Sequence, residues 1–259
     1  MVGGVYLKAW RTALQTKLEY RADFVLGLLG SLGFQAASLA MLWTVLFHGG
    51  ELAGWSAVQA ALIFGLTAMV LGCSELFFNH IWYIPYYIVR GQMDRLLVYP
   101  VSTLPFFLLT SPELHAFGNI AGGLAIYTAA GLKLGLPLWA WLLLPYWVAC
   151  GCLVHSSILT LCGALSFRVT GVQGYHLWAT NQVLQSSRYP LGIYPLAYQW
   201  VLLTFLPFGA INYLPLSALL GKTPMIWAWL APALAAGTIV PLTWKAWEAG
   251  LAHYESTGT

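Results

Sequence analysis

Glu75, Glu113 and His155 are the side chains whose type and position point most directly to chemistry. Each falls in or beside a long apolar stretch, where a charge is costly enough to be a functional candidate. For Glu75 and Glu113 that chemistry would be contact with a substrate path or a proton. The plainer alternative is an interfacial ion pair with Arg90, Arg95 or a helix N-terminus. Gly72-Cys73-Ser74-Glu75 adds a loose serine-type run, and His155 in another apolar stretch would be its base. No third group is in place to orient that imidazole, and small residues in such stretches commonly serve packing. The six histidines contain no H-E-x-x-H pair, and no G-x-x-x-x-G-K-[ST] phosphate loop occurs. Cys73, Cys150, Cys152 and Cys162 lack zinc-type spacing and read as buried free thiols. No catalytic residue and no metal site are expected. Active transport by this chain would draw on an ion gradient or on a partner.

The elements that must carry these residues are membrane helices. Of 259 residues, 11 are Lys or Arg and 8 are Asp or Glu; 7% are charged and 59% hydrophobic. A soluble domain has roughly 25% charged residues, so lipid must cover much of this surface. A net charge of +3 is too small to point to nucleic acid. A crossing needs roughly 20 apolar residues for about 30 Å of hydrocarbon. Six stretches qualify: about Phe24–Phe47, Ser56–Phe78, Glu113–Leu132, Trp139–Phe167, Leu196–Leu214 with Pro207 inside, and Met225–Trp247 with Pro232 and Pro241. The expected fold is therefore all-α, a polytopic membrane protein with six transmembrane helices. Ahead of them, Leu7, Trp10, Leu14 and Leu18 repeat at helical spacing among Lys8, Arg11 and Lys17, which predicts an amphipathic interfacial helix over 1–22. The first 21 residues hold no continuous apolar core of a cleavable leader.

Charge sets the orientation. With the N-terminus inside, Lys8, Arg11, Lys17, Arg21, Arg90, Arg95, Arg168, Arg188 and Lys245 fall inside, against Lys133 and Lys222 outside. That asymmetry is the positive-inside pattern and places both termini in the cytoplasm. Two inside loops are long, about Asn79–Pro112 and Arg168–Pro195. In the first, the spacing predicts a short amphipathic helix over Gln92–Val98, stopped by Pro100. It would present Arg90, Asp94 and Arg95 to a cytosolic partner and turn Leu96 and Leu97 to the bundle; the alternative is a solvated turn. In the second, two X-Pro units favour extended backbone over Arg188–Pro195. The chain then closes on Trp247–Gly258.

Three patches together carry a family likeness. Gly91–Ser102 fits G-x-(L/M)-D-x-x-L-x-x-P-x-S, Arg188–Pro195 fits R-Y-P-x-x-I-Y-P, and Trp247–Gly258 fits W-x-x-G-L-x-x-Y-x-S-x-G. In this order and with this span count, the chain resembles the permease subunits of ABC-2 type exporters, in their six-span subgroup. Gly192 departs from the pattern, standing where relatives carry Glu or Asp. The resemblance implies a single ABC-2 type transmembrane domain over 1–259, with the interfacial helix at 1–22, six spans over 24–247 and a cytosolic tail at 248–259. It implies pairing with a second permease chain, identical or related, and with nucleotide-binding ATPase subunits. ATP and Mg²⁺ would sit on those subunits, with no cofactor on this chain. Arg90, Gly91, Gln92, Met93, Asp94, Arg95, Leu96 and Leu97 would form the coupling helix that receives the ATPase motion. Arg188, Tyr189, Pro190, Ile193, Tyr194 and Pro195 would form the second motif loop. The implied location is the bacterial cytoplasmic (inner) membrane. Charge-poor, aromatic-rich spans suit export of an apolar, amphipathic or lipophilic cationic small molecule or peptide. A lipid-linked or polysaccharide exporter or flippase on the same scaffold is the alternative. An ion-coupled carrier and an intramembrane hydrolase are further readings from other classes.

Overall fold

Apolar runs without Asp, Glu, Lys or Arg can satisfy their backbone in lipid only as helix, and helix is what they form. The computed structural model describes residues 2–46, 50–169 and 174–254; no strand occurs among them. The end of the first expected span at 47 and residues 255–258 of the C-terminal motif lie outside the described residues. Helix α1 (Val2–Leu18) precedes α2 (Arg21–Met41), which a π-helical turn extends over Leu42–Leu46. Then follow α3 (Ala57–Phe78), the short α4 (Ile84–Val89), α5 (Asp94–Leu97) and α6 (Thr103–Leu108), and the long α7 (Ala116–Lys133) and α8 (Leu138–Ala164). The chain continues through α9 (Tyr175–Ser186), α10 (Leu196–Trp200), α11 (Phe208–Ile211) and α12 (Tyr213–Leu219) to α13 (Trp227–Leu251).

Three segments are long and apolar enough to cross a membrane alone: Arg21–Thr44, Ala57–Val89 and Leu138–Phe167. The fifth expected span divides. Leu196–Phe205 and Phe208–Leu219 meet at a 70° bend, and counting them as one crossing gives four. Pro207 causes the break, because it lacks an N–H and disfavours helical backbone at Leu206, which sits at φ −122°, ψ 79°. A second interruption at Asn212 is held by side-chain bonds. Its Nδ2 donates to Thr67 Oγ1 (2.7 Å) and to the Ser187 carbonyl (2.9 Å), and its Oδ1 accepts from Tyr213 N (2.6 Å).

Neighbour contacts give the helix directions. Gln35 of α2 meets Asn119 of α7, and Gly65 and Gly72 of α3 meet Tyr127 and Ile120 of α7. Trp147 and Ser157 of α8 meet Ala228 and Thr243 of α13. Helices α2 and α7 thus run one way, and α3, α8 and α13 run back. The proximal end, which carries α1, collects the end of α3, α4 to α6, the start of α7 and the ends of α8 and α13. The distal end collects the Leu52–Trp55 turn and Lys222, whose Nζ donates to the Gly54 carbonyl. Helix α9 starts proximally, where His176 and Thr180 meet Ser166 and Cys162, and carries the chain away from that end.

Arg188–Pro195 consequently does not lie where the charge pattern put it. Gly192 packs on Ala53 of the distal turn, where a Cβ would meet the Ala53 methyl at 3.1 Å. The sequence reading missed this because α9, with two glutamines and an asparagine, lacks the apolar signature of a crossing.

Candidate functional site

The proximal end builds a surface from the first and third motifs. Helix α4 ends in a Schellman turn: Gln92 N donates to Tyr87 O (2.9 Å) and Gly91 N to Ile88 O (3.3 Å). Gly91 takes φ +66°, a left-handed geometry that favours glycine. The turn delivers Met93 and Leu96 inward, where both are buried, and leaves Asp94, Arg95, Leu97, Val98 and Tyr99 outside. The helix is four residues long, shorter than the Gln92–Val98 expected, and Leu97 is half exposed, not turned to the bundle. Residues 93 and 96 share a face at spacing i, i+3, and Leu97 falls about 100° further round. Arg90 stacks over Tyr86, with Cζ 4.4 Å from the ring centroid.

Beneath this surface Met93 and Leu96 join a cluster with Phe107, Leu159, Phe167 and Trp247. Trp247 stacks on Phe107 at 6.1 Å and meets Phe167 edge-on at 5.4 Å, joining the ends of α8 and α13. Tyr254 stands beside Asp94; burial and that carboxylate hold the phenol above its ordinary pKa. The first and third motifs, about 150 residues apart in sequence, therefore meet in one place.

Glu75 and Glu113 occupy a polar network next to α1. Lys17 Nζ bonds Glu113 Oε1 at 2.8 Å, and Asn79 Nδ2 donates to the same oxygen at 3.3 Å. His115 Nε2 lies 3.5 Å from Glu75 Oε2, to which Asn119 Nδ2 donates at 2.7 Å. Gln35 Nε2 donates to Asn119 Oδ1 at 2.8 Å, which brings α2 into the network. Neither carboxylate pairs with Arg90 or Arg95 among the described residues. The network also fastens α1, which is held further by Trp10 Nε1 donating to Leu76 O (3.2 Å) and by Tyr6 Oη accepting Ser102 N (3.2 Å). Ser74 Oγ donates to the Cys152 carbonyl at 3.4 Å, and no bond joins it to His155 among the described residues.

The second motif forms a separate site. Ser187 and Arg188 are buried, Ser187 under the Asn212 amide and Arg188 between two rings. Arg188 Cζ lies 5.4 Å from the Phe64 centroid and 5.8 Å from that of Phe34. Tyr194 Oη donates to Ser186 O at 2.8 Å and closes the loop over α9.

A comparison of the sequence with family models decides the family: the model of the ABC-2 family transporter proteins matches residues 32–258. The chain belongs to the ABC-2 transporter family. No curated protein and no solved structure matches it. As an ABC-2 permease it is a multi-pass membrane subunit of an ABC transporter, a transport component that associates with an ATPase subunit and is not itself the catalyst.

In this ABC-2 permease the motif residues divide between two ends. Arg90–Leu97 stand at the proximal end beside the C-terminal motif, and Arg188–Pro195 near the distal turn. Lys17, Asn79, His115 and Asn119, the partners of Glu75 and Glu113, and Gln35, which bonds Asn119, were missed from sequence. A signal for three of them was present. Gln35 interrupts an apolar run, and His115 and Asn119 share a helix face four residues apart.

Proposed function

We propose that this permease is the membrane half of an ATP-driven exporter, assembled from two permease chains and two ATPase subunits. On this reading the proximal end is cytoplasmic, both termini lie there, and the membrane is the bacterial cytoplasmic one. The chain crosses six times, by α2, α3, α7, α8, α9 and α13. Helix α9 has 12 residues and rises about 18 Å, less than the hydrocarbon thickness. The bent α10–α12 segment dips back in at the distal end. Helix α1 lies in the proximal interface, and the cargo is amphipathic.

The observation that carries the reading is the construction of Arg90–Tyr99. Charged and apolar side chains face outward from a turn whose inner residues, Met93 and Leu96, rest on the aromatic cluster at the ends of α8 and α13. A partner pressing on α5 would load Phe107 and Trp247 directly. Close-packed aromatics pass such a displacement on, since they have few voids to absorb it. The nucleotide chemistry belongs to the partner; this chain contributes the contact and the lever.

The test is to purify the chain with candidate ATPase subunits and to compare Asp94→Asn and Arg95→Ala with wild type. Transport coupled to ATP should fall by about tenfold or more, with membrane insertion and chain pairing unchanged. Transport at the wild-type rate in both variants would remove the coupling role from α5. If no ATPase co-purifies with the wild-type chain, the assembly itself is wrong.

A further inference from the structure

Arg188 is 6% exposed, and its guanidinium makes no hydrogen bond and no ion pair among the described residues. It lines a cavity of about 410 Å³ between α2 and α9. Ser38 of α2, Gln182 and Gln185 of α9, and Tyr189 line it with Arg188, and their side chains make no hydrogen bond among the described residues. Ser186 and Tyr194 complete the wall with hydroxyls already bonded to Val183, Tyr198 and Ser186 backbone or side-chain oxygens. No carboxylate lines the cavity.

A guanidinium withdrawn from water needs compensation. The Phe34 and Phe64 faces supply part of it as cation–π contact. They leave the N–H donors unmatched: the group has five, arranged as a fork that fits a carboxylate or phosphate. The unbonded amides and hydroxyls around it add donors for the same kind of ligand. On the open side, Phe34, Ser38 and Met41 share one face of α2 by their spacing, and Phe34 and Met41 are mostly exposed. An acyl or aryl tail has an apolar surface to lie on there while its head enters the cavity.

We propose that the Arg188 cavity is a binding site for the oxyanion group, carboxylate or phosphate, of an amphiphile. Calling that amphiphile the cargo rests on the exporter reading; the binding site itself does not. The assignment replaces the lipophilic cation with its opposite in charge, because a cation in this cavity would meet Arg188 and no carboxylate lines the wall to hold it.

The test uses the full chain in neutral detergent, without any ATPase, and native mass spectrometry to count bound ligand. Dodecyl phosphate should bind the wild type, and binding should weaken about ten- to hundredfold in Arg188→Gln. Arg188→Lys should retain part of the affinity. Ser38→Phe fills the cavity from α2 and leaves Arg188 in place; it too should lose binding, and it decides the matter if Arg188→Gln does not fold. Inorganic phosphate separates two sources of the same chemistry. Failure of phosphate to compete assigns the site to an amphiphile headgroup, and full competition assigns it to a soluble oxyanion. Equal binding of dodecyl phosphate to wild type and to the two loss-of-site variants, or equal binding of dodecyl trimethylammonium to the wild type, would overturn the proposal. Because no ATPase is present, this failure would leave the exporter reading standing, and the loss of ATPase association would leave the site standing.

Discussion

Asn119 shows how the worth of a polar side chain depends on what it leaves behind. Its amide donates to Glu75, and its carbonyl accepts from Gln35, which is 2% exposed. Asn119→Ala strands a buried donor and should cost about 1–3 kcal/mol. The Lys17–Glu113 pair is as close, at 2.8 Å, but wetter, with side chains 42% and 22% exposed. Solvent screening limits such a pair to about 0.2–1 kcal/mol, so Lys17→Met should lower stability less than Asn119→Ala does. Thermal unfolding of both variants in one detergent checks the order, and a reversed order would mean that α1 is held chiefly by Lys17. Sequence inspection identifies Glu75 and Glu113 as residues of interest because charge near hydrocarbon is rare. It does not pair them with their partners, since Lys17 comes from α1 and His115 and Asn119 from the start of α7.

At the scale of elements, α3 and α7 pack on glycine. A Cβ on Gly65 would meet the Gly123 carbonyl at 2.8 Å, and one on Gly123 would meet the Gly65 carbonyl at 2.7 Å. Both obstacles are backbone, so neither can swing aside, and the helices would have to separate. Small residues at such seams let helix backbones approach in lipid, where dispersion replaces the hydrophobic effect as the driving force. Gly65→Ala and Gly123→Ala are each expected to abolish the monodisperse peak in fluorescence-detected size-exclusion chromatography. Gly33→Ala is the control: nothing lies within 4 Å of its added Cβ, and helix propensity favours the change. Loss of the peak in Gly33→Ala, or its retention in both seam variants, would contradict this packing. Elements were legible where apolar length was the signal, as in α2, α3 and α8. They were not where a short or polar segment gains its helix from neighbours, as α9 does beside α8.

At the scale of the whole molecule, the two motif loops should answer to opposite sides of the membrane. In a background with Cys73, Cys150, Cys152 and Cys162 replaced, single cysteines at Val98, Pro195 and Lys222 report the arrangement. Val98 and Pro195 are exposed at different ends, and Lys222 is tied to the distal turn. A membrane-impermeant maleimide added to intact cells should label Pro195→Cys and Lys222→Cys and spare Val98→Cys. Labelling of Pro195→Cys only after the cells are opened, together with Val98→Cys, would restore the second motif to the inner side. The charge bias that supports a cytoplasmic proximal end survives the relocation of Arg188, because the remaining inside cations still outnumber Lys133 and Lys222.

The sequence by itself determined that this chain lives in a membrane, is helical, carries no phosphate loop and belongs with the ABC-2 permeases. Each of those follows from local properties: apolar length, charge density, and motif residues such as Gly91, whose left-handed turn only a local backbone demand explains. Only the tertiary structure decided that the first and third motifs share one aromatic cluster, that Pro207 turns an expected crossing into a bent pair, and that Arg188 lies buried at the wall of a cavity between α2 and α9. These depend on which helices become neighbours, and a helix of given composition packs as readily with one apolar partner as another until glycines, prolines and paired polar groups select among them.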